Sequence, residues 1–439
     1  MYEFIGTEDW SNISLYDVAN WKNGLAFKNI DFSQSGLPVI KIAELKNGIT
    51  DQTKFTDSKY SEDVFIKRGD MVFAWSGSPQ TSIDTFRWGG VDGWLNQHIF
   101  KVTPHDFISD QFLFFLLKSL RSRFVQIALN KQTTGLGHVT VADLKEMRVG
   151  IPNLSEQRSI VNIIAPLHEK IENNRQMNET LEEMARAIFK SWFVDFDPVH
   201  AKAADNAPAH MDAETAALFP SSFGDDGLPV GWEEEHLHNL IDFKEGPGLR
   251  NWQYTNSDEG IRFINIRCIK NGDLELTTAN RITEAEAYGR YAHFLLEAGD
   301  IVVSTSGTLG RLSFVREEHL PLMLNTSVIR MRPISKRSTR EFLYAYLGSK
   351  EFQNELEIRA TGSAQRNFGP MHLNQMHIKV PKFEIIDAYS QKTSPIVEKF
   401  LSNQKENQTL AELRDALLPK LMSGEIRVKD AERDVEEAL

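Results

Sequence analysis

Two loops of this chain carry side chains that can bind a polar partner through several hydrogen bonds, and each loop follows a segment rich in Phe and Leu. The first loop contains Lys131, Gln132, Thr133, Thr134, Gly135 and His138. The second contains Arg359, Thr361, Gly362, Ser363, Gln365, Arg366 and Asn367. These side chains donate or accept hydrogen bonds or carry positive charge, and a glycine in each loop allows close approach of a partner. The chemistry they offer is recognition of a polar or anionic surface.

A second pair of loops lies early in each half of the chain and has a similar composition. Lys22 and Asn23 belong to the first of these loops, and Arg250 and Asn251 belong to the second, which runs from 246 to 252. For any single residue of these four loops, an ordinary solvated position is the competing interpretation.

Motifs for bond-making chemistry are absent from the sequence. It contains no phosphate-binding P-loop, no GxGxxG, no H-E-x-x-H, no G-x-S-x-G and no Asp/Asn-Pro-Pro-aromatic tetrapeptide. Ser76-Gly77 and Ser306-Gly307 look like nucleophile turns, but the sequence places no base beside either serine. We therefore expect that this chain alone is not an enzyme and holds no metal or cofactor.

Charge and composition bound the partner and the compartment. Of the formal net charge of −12, residues 195–235 contribute −9 with ten acids and one base, and residues 423–439 contribute −3 with six acids and three bases. Because local patches steer an anionic partner, this acidity neither excludes nor suggests DNA. The single cysteine, Cys268, precludes an internal disulfide, and neither a signal peptide nor a long apolar run is present. We expect a cytoplasmic protein without membrane association.

The elements that position the loops occur in the same order in both halves. In the first half, β-type runs at 38–42, 69–73 and 96–102 precede a helix over 110–129. In the second half, runs at 264–266, 299–303 and 325–332 precede a helix near 339–358. This order predicts two α+β domains of one fold.

A repeated helical pattern follows each half. Residues 152–192 align without a gap with residues 381–421, and ten of the 41 positions are identical. Core positions recur at alternating spacings of four and three, which favours a left-handed coiled coil, although Pro166 and Pro395 should kink or restart their helices. The two helices are expected to pair antiparallel, with one globular domain at each end.

Four polar residues lie in the predicted seam of this helix pair: Asn174, Asn178, Asn403 and Asn407. Polar groups in a seam reduce stability but fix register. Our hypothesis is that these asparagines meet across the pair and set the register of the helices.

The sequence therefore predicts an α+β fold with two similar domains, two long antiparallel coiled-coil helices and an internal pseudo-two-fold repeat. Residues 196–226 have the small, acidic and proline-broken composition of a linker, with one short helix around 211–218, and the C-terminal tail is expected to fray. The predicted divisions are 1–152 (domain 1), 153–195 (helix 1), 196–226 (linker), 227–381 (domain 2), 382–424 (helix 2) and 425–439 (tail).

Several short motifs, in this order and with the duplication, resemble the DNA-specificity subunit of type I restriction–modification systems. The motifs are Ile151-Pro152 with Ser155-Glu156-Gln157-Arg158, the run 188–196, Gly231-Trp232-Glu233, Gly299-Asp300-Ile301-Val302 with Ser306-Gly307-Thr308, and the run 417–426. The second copy of the helix departs from the pattern, because Glu384-Ile385-Ile386-Asp387 replaces the Ser-Glu-Gln-Arg motif. Pro79 and Gln80 likewise put in doubt a role shared by the two Ser-Gly turns.

This resemblance implies a reader of double-stranded DNA that does not itself catalyse. Each target-recognition domain would bind one half of an asymmetric split target, and the helices would set the spacing and dock two methyltransferase subunits, to which restriction subunits can be added. S-adenosylmethionine would belong to the methyltransferase partner. The four polar loops then become the candidate DNA-binding residues.

Two alternatives stay open on the sequence alone. Trp192 and Phe193, at the end of the first helix, are either core residues or a docking surface for a partner subunit. The whole chain is either this DNA reader or a two-headed coiled-coil adaptor that binds only proteins, for which polar loops in both heads would have no purpose.

Overall fold

The structure is a computed structural model that describes residues 7, 9–132, 135–362 and 366–438. It comprises two compact units, of which the first contains residues 1–172 and 408–439 and the second contains residues 173–407. Each unit is built around one antiparallel four-stranded sheet, and the two sheets have the same strand order relative to the chain. This supports the expectation of two repeated domains of mixed helix and sheet.

In unit 1 the strands lie in the order Ala19–Asn23, Ile99–Pro104, Met71–Ala74, Asp84–Arg87. In unit 2 the corresponding order is Ile241–Glu245, Val328–Pro333, Ile301–Ser304, Leu312–Phe314. All neighbours in both sheets run antiparallel.

Each unit also has a smaller mixed sheet, whose strands lie in the chain between the first and last strands of the main sheet. In unit 1 its strands are Phe55–Thr56, Leu37–Ile40, Gly93–Leu95 and Phe65–Ile66. In unit 2 they are Asn280–Ile282, Ile261–Phe263 and Leu322–Met323. The remaining strand pairs are Ser11–Ser14 with Arg148–Ile151, Ser76–Gly77 with Gly137–His138, Glu233–His236 with His377–Val380, and Ile269–Lys270 with Asp273–Leu274.

The single helix predicted before each late loop is a pair of helices. In unit 1 these are Asp110–Ser119 and Arg121–Asn130, and in unit 2 they are Arg340–Leu347 and Lys350–Arg359. Ser349 begins the last helix by accepting a hydrogen bond from the backbone N–H of Phe352, which is the usual role of a serine N-cap. The shorter α-helices are Ile42–Asn47, Pro79–Ser82, Val141–Glu146, Asp197–Ala203, Ala213–Leu218, Glu284–Tyr288, Pro370–Leu373 and Val428–Ala438.

Two long helices, Leu154–Phe193 and Phe383–Ser423, contribute residues to both units. Neither restarts at Pro166 or Pro395. Within unit 2 the Tyr389 hydroxyl donates to the Ala185 carbonyl at 3.0 Å, and the Asn403 amide donates to Asn178 at 2.9 Å. Residue numbers rise on one helix as they fall on the other, so the helices run antiparallel in this unit.

The glutamine of the Ser-Glu-Gln-Arg motif joins the start of the first long helix to the domain before it. Gln157 is fully buried; its Oε1 accepts from the Ser109 N–H at 2.7 Å, and its Nε2 donates to the carbonyls of Phe107 and Pro152. The aligned residue of the second copy, Ile386, is also fully buried, in an apolar core. An apolar contact therefore replaces a polar one, which explains why the motif occurs once.

The segment 196–226, which the composition predicts to be a linker, is a folded part of unit 2. Residues Asp197–Ala203 and Ala213–Leu218 are helical, and Phe196, Val199 and Phe219 are buried in the unit 2 core. These widely spaced apolar residues anchor a segment in which small and polar residues predominate. Its average composition does not reveal the anchors. The C-terminal tail was expected to fray, and here too the structure differs from the prediction. Val428–Ala438 forms a helix in which Ala431 is buried.

Trp192 and Phe193 lie in the core of unit 2. They are 4% and 5% exposed and pack against Tyr389, with ring centroids 5.9 and 5.3 Å from that of the tyrosine. Of the two alternatives for these aromatic residues, the structure shows the core position, and neither side chain offers a surface for a partner.

Candidate nucleic-acid interface

The late loop of each unit is held by the Ser-Gly turn of the same unit. In unit 1 Gly137 and His138 pair antiparallel with Gly77 and Ser76. In unit 2 Asn367 forms a β-bridge with Ser306, and the Gly307 N–H donates to the Arg366 carbonyl at 3.2 Å. The two turns therefore share a structural role, and Pro79 does not prevent it because it begins the separate helix Pro79–Ser82.

The early loops also occupy equivalent positions, which close backbone contacts identify. A Cβ added to Gly24 would lie 2.2 Å from the Asn96 carbonyl oxygen, and one added to Gly246 would lie 2.5 Å from that of Asn325. Both asparagines precede the matching strands Ile99–Pro104 and Val328–Pro333. Glycine is required at both positions because the backbones meet without room for a side chain.

This equivalence identifies counterparts that the sequence did not. Each early loop continues into one turn of 3₁₀ helix, Asn29–Asp31 in unit 1 and Asn251–Gln253 in unit 2. In the first turn the Lys28 N–H donates to the Asp31 carboxylate, and in the second the Arg250 N–H donates to the Gln253 side chain. The structural counterparts of Arg250 and Asn251 are therefore Lys28 and Asn29. Lys22 and Asn23 lie at the end of the preceding strand.

Backbone hydrogen bonds connect the early and late loops of unit 1 into one surface. The Gln97 N–H donates to the Leu25 carbonyl, the Trp75 N–H to the His98 carbonyl, and the Val139 N–H to the Trp75 carbonyl, at 2.8 to 3.2 Å. We define loop face 1 as residues 22–31, 75–77, 96–98, 131–132 and 135–138.

The same connections recur in unit 2. The Thr326 N–H donates to the Pro247 carbonyl at 3.0 Å, the Thr305 N–H to the Ser327 carbonyl at 2.9 Å, and the Phe368 N–H to the Thr305 carbonyl at 2.9 Å. We define loop face 2 as residues 246–253, 305–307, 325–327, 359–362 and 366–367. The backbone arrangement is common to the two faces, while the side chains they present differ.

On loop face 1, the two early-loop residues predicted from the sequence, Lys22 and Asn23, make local contacts. The Lys22 ammonium lies 2.8 Å from the Asp63 carboxylate, and both are exposed. The side-chain oxygen of Asn23 accepts from the Trp75 indole N–H at 2.9 Å. Trp75 and the exposed His98, whose rings lie 5.8 Å apart, extend this part of the face.

Lys131 holds the start of the late loop to the body of unit 1. Its ammonium lies 2.6 and 2.7 Å from the two carboxylate oxygens of the buried Asp143. Burial raises the pKa of the Asp143 carboxyl, but hydrogen bonds from Lys131 and Thr140 outweigh it, so the pKa lies below its usual value. Lys131 therefore has a structural role that the sequence did not indicate.

The two arginines at the late loop of loop face 2 form ion pairs with glutamates of the preceding helix. Arg359 lies 2.6 Å from Glu355, and the Arg366 guanidinium pairs with the Glu357 carboxylate and carbonyl. The Arg366 and Glu357 side chains are both about half exposed. Exposed ion pairs contribute little to stability, so Arg366 can exchange Glu357 for another anion.

The other predicted loop residues are exposed or lie beyond the described part of the chain. Gln132, Thr361 and Asn367 are exposed, and Gly135 and Gly362 have φ values of +85° and +101°, which favour glycine. Thr133, Thr134, Ser363 and Gln365 lie outside the residues that the structure describes.

The four seam asparagines meet within unit 2. Asn178 contacts Asn403, and the Asn174 amide donates to Asn407 at 3.0 Å and to Glu406 at 2.7 Å. Asn174, Asn178 and Asn403 are buried. The contacts expected from the sequence are thus present, and their role in setting register stays a prediction.

Sequence reasoning missed Lys28, Asn29, Trp75 and His98 as members of a face. The signal for the first two was present, because Lys28-Asn29 matches Arg250-Asn251 after a glycine in each loop. No local pattern indicates the other two, since long-range strand pairing brings them to the face. Among the described residues no cluster of three or more ligand side chains could hold a metal ion. No helix in the described ranges is long and apolar enough to span a membrane.

Comparison with known proteins gives a consistent result. The family model for the type I restriction modification DNA specificity domain matches residues 7–183 and 229–414. The chain is 30% identical over 413 residues to the specificity subunit of the type I restriction enzyme HindI from Haemophilus influenzae, covering 82% of this chain and 87% of that protein. It is 23% identical over 342 residues to the MjaIX specificity subunit from Methanocaldococcus jannaschii, covering 76% and 73%.

A similar fold has been solved. The crystal structure of a type I restriction–modification S subunit from M. genitalium matches with a TM-score of 0.50 and 17% identity, covering 94% of this chain and 96% of that one. At this identity the likeness concerns the fold.

Proposed function

This chain belongs to the type I restriction modification DNA specificity family, and we propose that its loop faces 1 and 2 each read one half of an asymmetric, bipartite DNA target. The chain is a DNA-recognition subunit that confers sequence specificity; it is not the catalyst. The alternative of a protein-binding adaptor without DNA specificity has no support from this family.

One observation carries the proposal: the two units link their early loop, Ser-Gly turn and late loop by the same backbone contacts, yet present different side chains there. Around the late loop, unit 1 presents Gln132 and His138, whereas unit 2 presents Arg366 and Asn367. Side chains of these types read base edges in the major groove. Two domains with the same backbone arrangement and different side chains are suited to recognise two different DNA sequences.

The long helices are proposed to set the distance between the half-sites through a coiled-coil seam that includes the buried asparagines. Support comes from their length of 40 and 41 residues and from their contribution to both units. Inserting seven residues in each helix, after Glu172 and before Gln408, would add about 10 Å at 1.5 Å per residue. This should lengthen the spacer of the target by roughly three base pairs.

We further propose that two methyltransferase subunits bind this chain, that restriction subunits join the complex, and that S-adenosylmethionine is bound by the methyltransferase subunits. The complex would act in the cytoplasm. The buried Cys268 thiol, which is not in a disulfide, fits that compartment.

An exchange of domains tests the assignment of one half-site to each face. Residues 1–152 are replaced by the aligned residues of the Haemophilus influenzae relative, and the chimera is co-expressed with the methyltransferase partner of the wild-type chain. We expect methylation mapping to show a target in which one half has changed and the other is retained. A target that changes in both halves or in neither contradicts the assignment, and a matched exchange of residues 227–381 should alter the other half.

A further inference from the structure

The early loops of the two units present a large apolar side chain to solvent at the same structural position. Ile30 is the middle residue of the turn Asn29–Asp31, and Trp252 is the middle residue of the turn Asn251–Gln253. Ile30 is 90% exposed and Trp252 is 80% exposed. We propose that Ile30 and Trp252 are apolar DNA contacts, each packed against the bases of the half-site that its own unit reads. This inference rests on the proposed function.

Local contacts hold both turns in place, so the conformation of each loop keeps the apolar side chain exposed. In unit 2 the buried Gln253 accepts from the Arg250 N–H at 3.0 Å and donates to the Tyr291 hydroxyl at 3.0 Å and to Glu286 at 3.2 Å. Trp252 therefore projects from a turn that three hydrogen bonds of the buried Gln253 hold in place.

The turn of unit 1 shares one of these contacts, the bond from a backbone N–H to the last side chain of the turn, and its other contacts are aromatic and lie nearer the surface. The Asp31 carboxylate accepts from the Lys28 N–H, and the next residue, Phe32, stacks on Phe27 with ring centroids 6.4 Å apart. The Lys41 ammonium lies over the Phe32 ring at 5.2 Å. Contacts of the residues on both sides of Ile30 therefore hold the turn that carries it.

The neighbours of these apolar side chains identify DNA as the occupant. Lys28 and Asn29 directly precede Ile30, and Arg250 and Asn251 directly precede Trp252. A cation positions a phosphate, an asparagine pairs with a base edge, and an apolar group contacts a thymine methyl group or a base face. Each turn therefore offers a phosphate contact, a base-edge contact and an apolar contact in three successive residues.

Recurrence distinguishes this feature from an ordinary exposed side chain. Single apolar residues on a protein surface are common and need no explanation. Here the same sequence of cation, asparagine and apolar residue occurs at the same position of both loop faces, although most other side chains of the faces differ. The choice of Ile in one unit and Trp in the other fits half-sites of different sequence, and the indole should contribute more because it buries a larger apolar area on contact with the bases.

The test uses the full chain assembled with its methyltransferase partner and a duplex that carries the target found by methylation mapping. Trp252→Ala should lower the affinity for this duplex roughly tenfold or more, because a large buried aromatic contact is lost, and Trp252→Phe should retain most of it. Because no phosphate contact is removed, the salt dependence of binding should keep its slope. The control Val230→Ala, at a residue of unit 2 that is 54% exposed and outside the face, should bind as wild type does.

Ile30→Ala should reduce affinity less than Trp252→Ala, with Val91→Ala, at a residue 62% exposed, as its control. Base-pair changes should show lost discrimination in one half of the target for Ile30→Ala and in the other half for Trp252→Ala.

The outcomes separate this inference from the proposed function. Unchanged affinity and discrimination in both alanine variants, with a wild-type complex that still prefers its target, would overturn the apolar contact alone. Failure of Trp252→Ala to assemble with the methyltransferase would overturn it as well, because the residue would then be a protein contact. A wild-type complex without sequence preference would overturn both proposals.

Discussion

The side chains of Asn178 and Asn403 meet inside the helix pair, with the Asn403 Nδ2 2.9 Å from the Asn178 Oδ1. They are 8% and 0% exposed, and the Asn178 Nδ2 donates to the Phe400 carbonyl at 3.2 Å. A polar contact that is buried between apolar helices is favourable only while both partners remain. We therefore predict that this pair stabilises unit 2 only in the helix register that brings the two residues together.

Replacing one asparagine of this pair should lower the free energy of unfolding by more than half of the loss caused by replacing both. Asn403→Leu removes the donor to a buried oxygen and should lower the free energy of unfolding by about 1–3 kcal/mol. The double variant Asn178→Leu/Asn403→Leu should cost less than the sum of the single costs, which urea unfolding measures as a coupling energy. Strictly additive costs would show that the pair does not act as a unit, and Met177→Leu, at a half-exposed position of the same helix, serves as a control.

Lys131→Met should destabilise unit 1 by about 1–3 kcal/mol at neutral pH, because it removes a charged hydrogen-bond donor from the buried Asp143. Since the folded-state pKa of Asp143 lies below its ordinary value, the stabilisation is present above pH about 3.9 and is lost as the pH falls through the folded pKa. The difference between variant and wild type should therefore shrink below pH about 4. Equal differences at pH 7 and pH 3 would contradict this, and Lys54→Met is an exposed control.

His319 should make unit 2 less stable in mild acid. Burial and the nearby Arg316 guanidinium lower the pKa of His319 to about 3. In the unfolded chain His319 binds a proton near pH 6.5, whereas in the folded chain it does not. The free energy of unfolding therefore keeps its full value above pH 6.5 and falls as the pH is lowered towards 3. Between pH 7.5 and pH 5 the loss should be about 2 kcal/mol smaller in His319→Asn than in wild type.

Urea midpoints at the two pH values measure this difference. The exposed His293 of the same unit gives the matched control His293→Asn, which should retain the wild-type loss. An identical loss in His319→Asn and wild type would show that His319 is not responsible.

Arg366→Ala should lower the affinity of the assembled complex for its target by about 1–3 kcal/mol and relax discrimination at one base pair, as expected for an arginine that reads a guanine. The exposed pair with Glu357 does not oppose this role, because such pairs are weak. A uniform loss on all sequences with a shallower salt slope would instead make Arg366 a phosphate contact. Arg433→Ala, in the C-terminal helix, should leave binding unchanged.

Duplication is what made so much of this fold predictable from the sequence. The ten identities between residues 152–192 and 381–421 indicated two related helices, and the seam pattern located the buried Asn178 and Asn403. Periodicity is visible in a sequence because it repeats along one element. The mixed helix–sheet domains followed from strand and turn signals in the same order.

Other parts of the fold depend on contacts between distant residues and escaped prediction. Composition marked 196–226 as a linker, but three separated apolar residues, Phe196, Val199 and Phe219, anchor it in the core. Lys131 was expected on a DNA-binding loop, and its pairing with Asp143 was not foreseen because a carboxylate 12 residues away gives no local signal. Trp75 and His98 reach loop face 1 only through strand pairing.

The most direct test of the central claim is methylation mapping of DNA from cells that express this chain with its methyltransferase partner. The account predicts one split, asymmetric target with modified adenines in both halves, separated by a spacer of fixed length. If the complex assembles and no sequence is modified or preferentially bound, the claim that the two loop faces read two half-sites is contradicted.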